Sequence, residues 1–184
     1  PAFGTLYTDT VGDEFTGNAI LDIVSVEVTN DASNINFMFT LNADIVATNW
    51  GKYMVIIDSA PGGDTIGNGW GRPISMTSGA ESWLGSWVDA PATVETYNYD
   101  GVNWNLNTTT PVAVAGNTAM LTTSLASLGI APGDTILFDA FTSGGGGGDG
   151  AIDSLGNPNQ QVAGWGDPSD AVPLSYTLVP EPAS

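Results

Sequence analysis

The sequence predicts an all-β, jelly-roll-like β-sandwich of about ten strands with one short helix. Three observations point there. Apolar residues recur with a period of two along most of the chain. Clusters of Gly, Pro, Asn and Asp separate these runs. Only one segment carries both a helix start and a helix stop. At 184 residues the chain suits one domain. That domain is expected to span 1–178, with 1–8 as an edge or exchanged strand and 179–184 as a tail.

The elements follow in order. Val24, Val26 and Val28 alternate with Ser25 and Glu27, and Ile35, Phe37, Phe39 and Leu41 share one face of the next run. Lys52–Asp58 is nearly all apolar, which predicts a central strand buried on both faces. Further strands are expected at Pro73–Met76, Glu81–Val88, Val94–Tyr99, Val102–Leu106, Val112–Ala115, Ala119–Thr123, Thr135–Phe141 and Leu174–Val179. Asp100-Gly101, between two aromatic runs, is the strongest hairpin signal. Ser124–Gly129 has a Ser cap, two Leu at helical spacing and a Gly stop, so one helical turn is expected there. The Gly144–Gly148 run reads as a mobile surface loop. It lacks the Gly-Lys-Ser/Thr of a phosphate-binding loop.

Composition narrows the function. Asp and Glu total 20 against two basic residues, Lys52 and Arg72, for a net charge of −18. Such a chain lacks the cations that nucleic-acid phosphates and anionic membranes require. Its carboxylates favour divalent cations, or simple solvation in a salty exterior. Charged residues are only 12% of the total, so Asn, Thr, Ser and Gly supply the polarity. With no Cys, disulfides, thiolate metal sites and thiol nucleophiles are excluded. With no His, Ser-His-Asp catalysis and ordinary zinc or non-haem iron sites are excluded too. The chain has five Glu but no E-x-D-x-x-E strand, so nothing points to glycoside hydrolysis and no enzyme is expected. No apolar run approaches the ~20 residues of a membrane-spanning helix.

Three groups of residues are candidates for function. Asp9, Asp13 and Glu14 flank a Gly-containing turn, and Asp22 opens a strand. Calcium takes six to eight oxygen ligands, and this set supplies several. The alternative is that they are ordinary turn acids. Asp58, Asp64, Asp139, Asp149 and Asp153 form a weaker pool. The second group is the six tryptophans, Trp50, Trp70, Trp83, Trp87, Trp104 and Trp165. Trp83 and Trp87 fall on one strand face, and Trp70-Gly71-Arg72 places a ring beside the only arginine. Rings with a few polar neighbours build sugar sites, while the alternative is core or subunit interface. Arg72 is expected to pair with Glu81 or Asp89. The third group is the extended start, where Phe3, Leu6 and Tyr7 offer a strand for a neighbour's sheet edge.

Val179-Pro180-Glu181-Pro182-Ala183-Ser184 resembles the start of a PEP-CTERM sorting signal. In that family a transmembrane helix and a basic tail follow and an exosortase removes them. Neither follows here, as in a processed or truncated chain. The resemblance implies export in a Gram-negative bacterium, often one that makes exopolysaccharide or biofilm. The body is similar to secreted DOMON-like and carbohydrate-binding sandwiches in Gly12-Asp13, Leu21-Asp22-Ile23, Tyr53–Asp58, Leu125–Gly129 and Phe138–Ser143. That similarity passes a calcium role to Asp13 and Asp22. It passes no haem role, which needs His. The function expected is an extracellular structural or matrix protein, a filament subunit joined by strand addition and stabilised by calcium. Its partners are then copies of itself. The alternative is a non-catalytic carbohydrate-binding module whose partner is an extracellular polysaccharide.

Overall fold

The computed structural model describes residues 4–159 and 162–180. The first strands are β1 (Gly4–Thr8), β2 (Ile23–Asn30), β3 (Asn34–Leu41), β4 (Lys52–Asp58) and β5 (Ile74–Ser75). Then come β6 (Ser82–Trp87), β7 (Thr93–Tyr99), β8 (Trp104–Pro111), β9 (Ala113–Ala115) and β10 (Thr118–Ser124). The helix α1 (Leu125–Leu128) precedes β11 (Thr135–Ser143), β12 (Asp153–Ser154), β13 (Ser169–Asp170) and β14 (Leu174–Thr177). One antiparallel sheet runs β1-β2-β3-β10-β9. The other runs β12-β11-β4-β6-β7-β8, with β14 also on β11. The two pack face to face as a β-sandwich. Among the described residues no helix is long and apolar enough to cross a membrane.

The period of two builds the core between the sheets. Val26 and Val28 of β2, and Ile35, Phe37, Phe39 and Leu41 of β3, point inward from one sheet. Tyr53, Val55, Ile57, Leu84, Val94 and Phe138 meet them from the other. Each such side chain contributes roughly 1.5–3 kcal/mol by leaving water. On β4 the alternate residues, Met54 and Ile56, are also fully buried, in a second core behind the sheet. There the loops 59–81 and 144–173 bring Ile74, Met76, Ala151 and Ala171 over Trp83 and Phe141. The short parallel pair of β5 and β13 joins those loops, Ile74 opposite Ser169. The expected double burial of β4 therefore comes from one sheet and one layer of loops.

Local chemistry sets the boundaries. Ser124 caps α1 by accepting from Ser127 N, and Gly129 ends it at φ 67°. Asp100-Gly101 turns β7 into β8, with Asp100 Oδ1 accepting from Val102 N and Asn103 N. The expected strands at Pro73–Met76 and beyond correspond to β5–β11 and β14. No alternation in the sequence signalled β12 or β13. Each is two residues long, too short to carry a period.

Candidate metal centre

The segment after β1 returns the chain to β2 through a tight turn. Gly12 adopts φ 86° there, and its N–H donates to both oxygens of Asp22 at 3.1 and 3.0 Å. This turn puts Asp9 and Asp13 beside Asp153, the first residue of β12. One carboxylate oxygen from each of the three lies within 4.8 Å of the others. Oxygens bound to one calcium ion at 2.3–2.6 Å are at most about 5 Å apart, so the spacing fits a shared cation.

The electrostatics fit one as well. Asp153 is 1% exposed. Its oxygens accept from Ile23 N at 2.7 Å and Ser154 N at 2.8 Å, which aims it at the cluster. Asp9 accepts from Thr10 N with Oδ1. Its Oδ2 and both oxygens of Asp13 are shielded from water and have no donor. Burial first, and then the neighbouring carboxylates, push Asp9 up to about 7 and Asp153 up to about 8. Burial, with Asp22 and Glu14 nearby, also raises Asp13. Neither basic side chain relieves this crowding. Lys52 pairs with Asp89 at 3.7 Å, and Arg72 is committed to the outer loops described below. Three clustered carboxylates, with three orphaned oxygens on Asp9 and Asp13 and no nitrogen or sulfur ligand, suit a hard cation such as calcium.

The other two expected ligands are used differently. Buried Asp22 spends its oxygens on Gly12 N and on Asn42 Nδ2 at 2.9 Å, so it shapes the turn beside the cluster. Glu14 bends back to accept from the Thr16 backbone N–H and hydroxyl. Asp153 takes the third place in the cluster. It was one of five scattered acids in the sequence, and only the pairing of β12 with β11 brings it here. Asp139, also from that pool, is fully buried on β11. It accepts from Ala140 N, Gly156 N, Val172 N and Ser154 Oγ and clamps three segments together.

The aromatic group lies mostly inside the protein. Trp83 is fully buried in the second core. Trp70 packs over Gly85, where a Cβ would overlap the indole, and stacks on Trp87 at 6.3 Å and 27°. Its Nε1–H donates to Glu95 at 2.9 Å. These rings fasten the β4–β6 loop to the sheet and present no open face of three. Arg72 pairs with neither Glu81 nor Asp89. Glu81 instead accepts from Ser59 N and Ala60 N. The Arg72 guanidinium lies 5.4 Å from the Trp70 ring. It donates to Ser143 Oγ and to the carbonyls of Gly144 and Asp149. It thereby ties down both ends of the glycine run. Two other members of the set, Trp50 and Trp165, cluster with Phe15 on the surface, each residue more than a third exposed.

Of the assembly residues, Leu6 and Tyr7 sit on β1, at the edge of the five-stranded sheet, while Phe3 lies outside the described residues. Leu6 is 62% exposed. Tyr7 points inward, edge-on to Phe138 at 5.2 Å, and its hydroxyl donates to Ser175 O at 2.6 Å.

Comparison with family models, with curated proteins and with solved structures gives no match.

Proposed function

We propose that this chain is a non-catalytic extracellular structural protein, a calcium-stiffened β-sandwich that assembles with copies of itself through its sheet edges. The observation that carries the reading is the Asp9–Asp13–Asp153 cluster. Asp9 Oδ2 and both oxygens of Asp13 are shielded from solvent and have no hydrogen-bond partner, beside the buried Asp153 and apart from both basic side chains, an arrangement that a divalent cation stabilises. Calcium is the cation proposed, because all the donors are hard oxygens. Assembly is supported by the outer strands. β1 and β8, each at the edge of a sheet, carry no charged residue in a chain of net charge −18. Open, uncharged edges are where a further strand adds. Export from a Gram-negative cell rests on the Pro-Glu-Pro tail.

The test is electron microscopy and thermal denaturation of the untagged protein, with calcium and after its removal. Calcium is expected to raise Tm and to accompany elongated assemblies. Monodisperse monomers under every condition refute assembly. A Tm indifferent to calcium refutes the metal.

One observation keeps the carbohydrate reading. The exposed Phe15, Trp50 and Trp165 rings lie in neither core, and exposed aromatic faces stack on sugar rings. Quenching or shift of tryptophan fluorescence by soluble polysaccharide, lost in Trp165→Ala, would favour it.

A further inference from the structure

The edge of β2 is a slot with defined chemistry. It is filled by five residues that pair in one register, Gly4 opposite Thr29 through Thr8 opposite Ser25. Three features fix that register. A Cβ at position 4 would lie 2.6 Å from the Thr29 methyl, so a larger residue there would have to displace that side chain. Tyr7 enters a pocket against Phe138 and reaches Ser175 O. Asp9 N extends the ladder to Val24 O at 3.1 Å. Yet β1 is marginally held for so specific a strand. Four of its five residues are exposed, and Tyr7 alone packs on the core. The link to β2 turns at Gly12 and Gly17, both at positive φ.

We propose that the β2 edge is the docking surface for Gly4–Thr8 of a second copy, and that the Asp9–Asp13–Asp153 cluster fastens whichever copy's strand fills it. The proposal rests on the calcium reading and on self-assembly, and names the surface, the register and the partner. A second copy offers the same five residues to the same slot, so exchange changes no contact in the slot itself. The segment is uncharged, so it approaches an acidic body without the repulsion that other parts of the chain would meet. Asp9 follows β1 immediately, while Asp153 belongs to the opposite sheet. A cation held between them joins the root of β1 to the body. By linkage, the metal and the docked strand stabilise each other, and removing the metal loosens the strand.

The absence of cysteine allows a clean test. Leu6 and Glu27 are opposite each other across β1 and β2. Two single variants, Leu6→Cys and Glu27→Cys, are mixed, stripped of calcium, resupplied with it and then oxidised. Register pairing in trans is expected to give a mixed disulfide at least about tenfold above that of Leu6→Cys with Val46→Cys, an exposed position outside every strand, because docking sets a millimolar local concentration. Tyr7→Ala added to the Leu6→Cys variant should remove most of the excess. A yield no greater than the Val46→Cys control, while the Leu6→Cys/Glu27→Cys double variant closes its own disulfide, overturns exchange. Equal yield with calcium kept throughout overturns the fastening role of the cluster. Calcium binding is read separately, from the thermal shift of the unmodified protein, so a missing metal is distinguished from missing exchange.

Discussion

Asp13 is the residue that separates the proposed metal binding from packing, because neither of its oxygens has a hydrogen-bond partner. In calcium-free protein Asp13→Asn removes repulsion and should raise stability. With calcium at a hundred times its dissociation constant, it should forfeit most of the roughly 2.7 kcal/mol that binding supplies. Opposite signs in the two conditions, read by urea unfolding, identify a ligand. pH tests the same site. Asp9 and Asp153 titrate near 7 and 8 when folded, against about 4 when unfolded. Raised carboxylate values mean that the folded state holds extra protons. Their stabilisation is complete below about pH 4 and is lost as pH rises through 7 to 8. Calcium-stripped protein should therefore show Tm falling from pH 6 to pH 9. Calcium competes with those protons, so its affinity should rise over the same range. A second residue-scale prediction concerns Gly85, which gives the Trp70 indole its seat. Gly85→Ala should cost about 1–3 kcal/mol by overpacking, measured by urea unfolding.

Elements were legible where backbone chemistry is local. The Ser124 cap, the Gly129 stop and the Asp100-Gly101 hairpin each depend on residues within a few positions, and each formed as read. Gly101 sits at φ 97°, so Gly101→Ala should cost about 1 kcal/mol or more in chemical denaturation. What depends on distant segments was hidden. Asp153 reaches the cluster only because β12 pairs with β11, and a two-residue strand has no period to read. The same limit applies to Arg72. An arginine in an acidic chain suggests a carboxylate partner, but its partners here are carbonyls and a hydroxyl, which no residue type announces. Spacing placed Trp83 and Trp87 on one face correctly. It did not reveal that a loop would cover that face with Trp70.

At the scale of the whole molecule, charge opposes association and the uncharged edges permit it. Two copies, each at −18, repel over a distance set by salt. The screening length falls from about 30 Å at 0.01 M to about 8 Å at 0.15 M. Self-association should therefore strengthen across that range, as sedimentation velocity would show. A contact dominated by opposite charges would weaken instead.

The scarcity of basic residues also bears on durability. Arg72 precedes Pro73, a bond that trypsin-like proteases do not cut, which leaves Lys52–Tyr53 as their one target. That peptide opens β4, where Lys52 is opposite Trp87 on one side and Ser143 on the other. A protease of this class reaches it only after the middle of the sheet has come apart. Digestion should then track global unfolding, and the intact fold should outlast such enzymes in the milieu proposed for it.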